Sequence, residues 1–208
     1  MNRKRVTKIL NILKEAYPQA GTRLHFGTPF QLLVAVVLSA QSTDEQVNQV
    51  TAVLFSQYST PEQLAAMPLP VLEELIKGVG LFRNKAKHIK ALSEILVKRH
   101  NGEVPSSFEE LLALPGVGRK SANVVLAVGF GLPGLGVDTH VHRVSNRLGL
   151  VKAKQAHHTE AALKELIPRN RWSEAHHLLI SHGRAICKAR RPLCSDCPLE
   201  SLCPKIIL

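Results

Sequence analysis

The sequence predicts an all-α protein, and three observations carry that expectation. Apolar residues recur at helical spacing through most of the 208 residues, the mark of helices that bury one face. No stretch shows the strict alternation of a half-buried strand. The breaks between runs hold Gly, Pro, Ser, Thr and Asp, the residues that start and stop helices.

Taken in order, a first helix is expected over residues 4–16, where Val6, Ile9, Leu10 and Leu13 form an apolar stripe. Thr28-Pro29 opens PFQLLVAVVL, apolar all round and so a buried helix. Small polar residues from Ser39 to Asp44 then break the run, and Thr43 or Asp44 suits the cap of the next helix. Residues 61–66 and 70–78 read as two short helices, the second leading into Gly78-Val79-Gly80-Leu81. The next helix carries Arg83, Lys85, Lys87, His88 and Lys90, a run that reads as a solvated face or, beside a DNA wedge, as a face for phosphate. Residues 86–99 complete it and Asn101-Gly102 ends it. Ser106 or Ser107 caps the helix after it, with Glu109 or Glu110 in the first turn. Residues 159–166 and 173–186 read as later helices.

Charge and composition narrow the function classes. The net charge is +11 and the isoelectric point about 9.8, which favours a polyanionic partner such as nucleic acid. Aromatic residues are only 4%, too few for a single-strand binder built on base stacking. The longest apolar run, Leu32 to Leu38, is far too short to cross a bilayer. The basic start reads as an amphipathic helix and not as a signal peptide, since Lys14 and Glu15 interrupt its apolar spacing. The expected setting is cytoplasmic, with DNA and without a membrane.

The chain is organised around residues 111–143. Two helix-like runs, Phe108 to Leu114 and Ser121 to Phe130, are broken by Pro115-Gly116-Val117-Gly118. Glycine permits a tight reversal there and leaves backbone N–H groups open at the start of the second helix, where a phosphate can dock. Gly116, Gly118 and Arg119 are therefore candidate DNA contacts. Lys120 falls in the first turn of the second helix, where the positive end of the helix dipole disfavours an ammonium. Its pKa is expected to be pushed down, and a neutral lysine is a nucleophile towards a carbonyl or sugar carbon. Asp138 follows a loop rich in Gly and Pro, before THVHRV. On spacing alone, Asp138 reads equally as a helix cap and Lys120 as a phosphate contact. A short echo, EELIKGVG against EELLALPGVG, marks residues 73–80 as a second turn of the same kind.

All four cysteines fall in the last 22 residues, as Cys187-x6-Cys194-x2-Cys197-x5-Cys203. Clustered thiolates imply a metal centre, and their spacing leaves zinc and an iron–sulfur cluster both open. Between the first two cysteines lies KARRPL, whose Lys188, Arg190 and Arg191 suit phosphate contact on a rim stapled by metal bonds. The paired histidines His157-His158 and His176-His177 bring no closed ligand set with them.

LPGVGRKSANVV followed by VDTHVHRV resembles the helix-hairpin-helix and Gly/Pro-Asp loop of the endonuclease III family of DNA glycosylases, bacterial type. The resemblance extends over nearly the whole chain. It implies a two-lobe helix-hairpin-helix fold, with a helical bundle over 22–132 and a second lobe of 1–21 plus 133–208. It implies that Lys120 and Asp138 are the catalytic pair. It carries Gln41, in Ser-Ala-Gln, to the extruded base, and Leu81 to the place of a wedge between base steps. The cysteine spacing matches the family's [4Fe–4S] signature, which resolves the choice left open above. The implied enzyme is a monomer acting on damaged double-stranded DNA. It removes oxidised pyrimidines and then cleaves the abasic site by β-elimination through a lysine Schiff base. The related adenine glycosylases usually lack the lysine and carry a further C-terminal domain, so Lys120 and the end at Leu208 are expected to count against that branch. A DNA-binding module without catalysis, and an iron–sulfur electron carrier, are the readings from other classes. The carrier needs neither the hairpin nor the charge.

Overall fold

A computed structural model describes residues 3–206. Residues 1, 2, 207 and 208, the outermost of the second expected lobe, lie outside the described residues. Among the described residues every regular element is helical. The chain divides into two compact units, Arg23–Leu132 and Met1–Thr22 with Pro133–Leu208.

The first unit is built around α2 (Pro29–Leu38), whose residues from Leu32 to Leu38 are all buried. Thr28 caps it, its Oγ1 accepting from the Gln31 N–H. Around α2 stand α3 (Asp44–Gln57), α4 (Pro61–Ala66), α5 (Leu69–Leu75), α6 (Phe82–His100), α7 (Phe108–Leu112) and α8 (Arg119–Val124). Thr43 and Thr60 begin α3 and α4 with reciprocal capping boxes to Gln46 and Gln63, each satisfying two otherwise orphaned N–H groups. Asn101 and Gly102 end α6 in left-handed backbone. The core joins α2 to Leu64, Leu72, Ile89, Leu92, Leu96 and Val125.

The second unit pairs α1 (Arg3–Ala16) with α9 (Thr139–Arg147), α10 (Ala156–Leu166) and α11 (Trp172–Ala185). Val6, Ile9, Leu10 and Leu13 are fully buried against Val141, Val144, Leu163, Leu178 and Leu179. Each of these side chains contributes roughly 1.5–3 kcal/mol by leaving water. Glu174 joins α1 to α11 by accepting from Lys14 at 3.1 Å and Arg171 at 2.6 Å. The tail from Ile186 onward carries little core of its own beyond Leu199.

The helix expected to carry Arg83 and Lys85 begins at Phe82, after Leu81 in left-handed backbone. Two boundaries differ from those expected. The helix expected at 70–78 spans Leu69–Leu75, because Val79 N–H turns back to the Ile76 carbonyl. The run expected as one helix to Phe130 changes after Val124 into a π-helical turn, Val125–Gly129.

Candidate functional site

The hairpin lies in the first unit. Ser107 caps α7 through the Glu110 N–H, and the chain reverses as Val117 N–H donates to the Leu114 carbonyl at 3.1 Å. Gly116 takes φ +78°, and a Cβ placed on it would meet the His88 side chain at 2.9 Å. Gly118 caps α8 without any side chain to cover the first N–H groups, and Gly118 and Arg119 are exposed. The Arg119 guanidinium sits 4.9 Å from the centre of the Phe108 ring, a cation–π contact. Lys120 is the second residue of α8 and half-buried. The π-helical turn just beyond α8 is of a kind often found at functional sites.

Two exposed residues of the same unit share an unusual backbone. Gln41 has φ 53° and Leu81 has φ 56°, left-handed values that cost a non-glycine residue about 1 kcal/mol or more. Their loops touch. Gly80 N–H donates to Ser42 Oγ at 3.1 Å, and a Cβ on Gly80 would lie 3.1 Å from the Gln41 carbonyl oxygen. Leu81 is 56% exposed.

In the second unit Asp138 caps α9. Its Oδ1 accepts from the N–H groups of His140 and Val141, each at 2.8 Å. Its Oδ2 stands 3.4 Å from His140 Nδ1. The cap fixes the carboxylate's orientation without enclosing it, since the side chain stays partly exposed. A cap and a catalytic carboxylate are thus compatible uses of one group.

The four cysteines line a single pocket, together with Arg147, His182 and Lys205. N–H donors surround the sulfurs. Arg147 Nη1 lies 3.7 Å from Cys187 Sγ, and His182 Nε2 lies 3.7 Å from Cys197 Sγ. Lys205 N–H donates to Cys203 Sγ at 3.3 Å. Such donors suit thiolates bound to iron, whose charge they stabilise. Among the described residues no three of His, Cys, Asp or Glu are grouped so as to hold one metal ion. Four thiolates lining one pocket are the donor set of an iron–sulfur cluster, and the residues present fit that group.

Burial of His182 pushes its pKa down to about 4 and keeps the imidazole neutral. Tyr17 is held as a phenol by burial and by the charges at Cys197 and Cys187, which together raise its pKa. A cluster-bound thiolate at Cys197 can only accept, which would place the imidazole hydrogen on Nε2 and leave Nδ1 to accept from the Tyr17 hydroxyl at 3.0 Å. Arg143 and Arg147 also bond the carbonyls of Gly183, Cys187, Lys188 and Ala189 and tie the loop to α9. Lys188, Arg190 and Arg191 are exposed on that loop, Arg191 with φ 52°.

The sequence reading missed several of these contacts. Lys85 and Lys90 look there like part of a basic face for phosphate. Instead Lys85 is buried, donating to the Leu38 carbonyl at 2.7 Å and to Ser42 Oγ at 3.0 Å. Lys90 donates to the Ala65 and Met67 carbonyls at the end of α4. Lys85, Arg147 and His182 each stand on the buried face of their helix, Lys85 in line with Ile89, Leu92 and Leu96, and a polar residue at such a position was the signal available.

Comparison with known proteins joins these parts. The family model described as HhH-GPD superfamily base excision DNA repair protein matches residues 34–169. The model of the iron–sulfur binding domain of endonuclease III matches residues 187–203. Endonuclease III of Bacillus subtilis (strain 168) is 48% identical over 98% of this chain and 93% of its own. That of Synechocystis sp. is 52% identical over 97% of this chain and 93% of its own. A trapped endonuclease III–DNA covalent intermediate superposes with a TM-score of 0.94 at 46% identity, covering 99% of this chain and 97% of the other. Family models, relatives and neighbours agree that the chain belongs to the HhH-GPD superfamily of base excision DNA repair proteins, on its endonuclease III branch, and is a DNA glycosylase and abasic-site lyase with a [4Fe–4S] cluster.

Proposed function

We propose that this enzyme acts as a monomer on damaged duplex DNA, removes oxidised pyrimidines, and nicks the strand through a Schiff base on Lys120 with Asp138 as its partner. The observation that carries the proposal is Lys120 itself. It stands in the first turn of the helix after the glycine hairpin, in a chain 46% identical to an endonuclease III trapped covalently on DNA.

The scissile bond is hidden in a duplex, so the damaged nucleotide must be extruded, which costs less for a poorly stacked lesion. The dipole at the start of α8 favours the neutral amine of Lys120. That amine attacks C1′, and the glycosidic bond breaks with its electron pair leaving on the base. Asp138 accepts the proton that the amine sheds and stabilises positive charge on the sugar. The ring opens to an iminium, C2′ loses a proton, and the 3′ C–O bond breaks.

Gln41 and Leu81 enter the helix around the extruded nucleotide. The N–H groups at Gly116 and Gly118, with Arg119, hold phosphate without reading sequence. Lys188, Arg190 and Arg191 do the same from the cluster loop. Cys187, Cys194, Cys197 and Cys203 hold the [4Fe–4S] cluster, which when bound supplies metal bonds that order the tail. No helix among the described residues is long and apolar enough to cross a membrane, and the work belongs with DNA in the bacterial cytoplasm.

The test uses duplexes carrying thymine glycol, a preformed abasic site or an adenine mispair. Cleavage of the first two, with an unsaturated sugar left at the 3′ end, is expected. Activity at the mispair alone would replace this reading with that of an adenine glycosylase.

A further inference from the structure

Lys85 is a buried ammonium that the chemistry above does not use. Only 4% of it is exposed, and its Nζ reaches the end of α2 and the loop that follows it. Its Nζ donates to the carbonyl of Leu38, the last residue of α2, and to Ser42 Oγ. Its own backbone N–H donates to the Leu81 carbonyl at 3.1 Å. Ser42 Oγ in turn accepts from Gly80 N–H. One lysine and one hydroxyl thus join the loop that carries Gln41 to the loop that ends in Leu81.

Those loops carry the two left-handed residues, and each of the two side chains is exposed. Left-handed backbone at Gln and Leu persists only where the surroundings over-determine it. The lysine sits at a core position of α6, in line with Ile89, Leu92 and Leu96. An apolar residue there would fill the same space at no desolvation cost, and a buried charge is a poor source of stability compared with packing. What the ammonium adds is direction, through hydrogen bonds to the Leu38 carbonyl and Ser42 that no apolar side chain can replace.

We propose that Lys85 and Ser42 are positioning residues that hold Gln41 and Leu81 as a preassembled pair for insertion into the duplex. The inference deepens the reading that Gln41 and Leu81 enter DNA, and it rests on that reading.

The experiment uses the full chain with its cluster and a duplex carrying thymine glycol, with 2-aminopurine as the opposite base. Fluorescence reports unstacking of that base, and single-turnover assays report base release. Lys85→Met and Ser42→Ala are compared with Gln41→Ala and Leu81→Ala. Lys85→Met is expected to abolish most of the fluorescence rise and to slow base release at saturating DNA about tenfold or more, since small misplacements of positioning groups have effects of that order. Ser42→Ala is expected to act in the same direction to a smaller degree, with an unchanged melting temperature, and it decides the matter if Lys85→Met does not fold. For both variants, half-saturating DNA concentration should move less than the rate. If Lys85→Met and Ser42→Ala keep wild-type fluorescence and rate while Gln41→Ala and Leu81→Ala lose them, the positioning role is overturned and the wedge reading stands. If Gln41→Ala and Leu81→Ala also behave as wild type, the wedge reading falls and the inference falls with it.

Discussion

Gly116 and Gly118 stand two residues apart, yet the structure requires glycine at only one of them. Gly116 has positive φ and would drive a Cβ into His88, whereas a Cβ on Gly118 meets nothing within 4 Å. Gly116→Ala should therefore destabilise the protein by about 1–2 kcal/mol, read as a lower denaturation midpoint. Gly118→Ala should melt as wild type but bind DNA about tenfold less tightly, because the phosphate approaches a backbone N–H there. Equal melting with equal DNA affinity for Gly118→Ala would remove the phosphate from that site.

Glu174 offers a pH test at the same scale. Burial alone would raise its carboxyl pKa, but hydrogen bonds and charge from Arg171 and Lys14 outweigh burial and hold it below the usual value. A carboxyl depressed in the folded state adds stability above its unfolded pKa and loses it as pH falls through the folded one. Glu174→Gln should thus cost on the order of 1 kcal/mol near neutral pH, with the difference vanishing in acid. A constant difference across the titration would show that packing, not charge, is lost.

Among the elements, the cluster loop depends most on its cofactor. From Cys187 to Cys203 most residues are exposed, and the segment's ties to α9 run through Arg143 and Arg147. Chelating the iron should let trypsin cut after Lys188, Arg190 or Arg191 about tenfold faster, while helical circular dichroism changes little. Unchanged proteolysis would mean that the arginine bonds alone order the loop. The elements also show what a sequence can reveal. Caps at Thr28, Thr43 and Ser107 were readable because their side chains carry the capping chemistry. The left-handed cap of α6 was not, because Leu81 caps it by backbone conformation alone. The π-helical turn after α8 was equally hidden, since Val, Leu, Ala and Gly do not distinguish one helical hydrogen-bond pattern from another.

For the molecule as a whole, the apolar stripes were enough to anticipate helices that bury one face, while the expected division into two lobes came from the family resemblance. Val6, Ile9, Leu10 and Leu13 fill one core, and the residues of α2 fill the other. The cysteine spacing and the hairpin were legible because each is contiguous in sequence. The knot of Lys85, Ser42 and Gly80, and the relay from Tyr17 through His182 to Cys197, join residues separated by 15 to 165 positions. No local pattern announces such contacts beyond a polar residue in an apolar stripe.

The central claim is that one amine, on Lys120, carries the chemistry of this repair enzyme. It is tested most directly by reducing the enzyme–DNA reaction with borohydride, digesting the adduct and locating the sugar-bearing peptide by mass spectrometry. The account predicts the modification on Lys120 and its disappearance in Lys120→Gln, which should still bind DNA. An adduct on another lysine, or one that persists in Lys120→Gln, would contradict it.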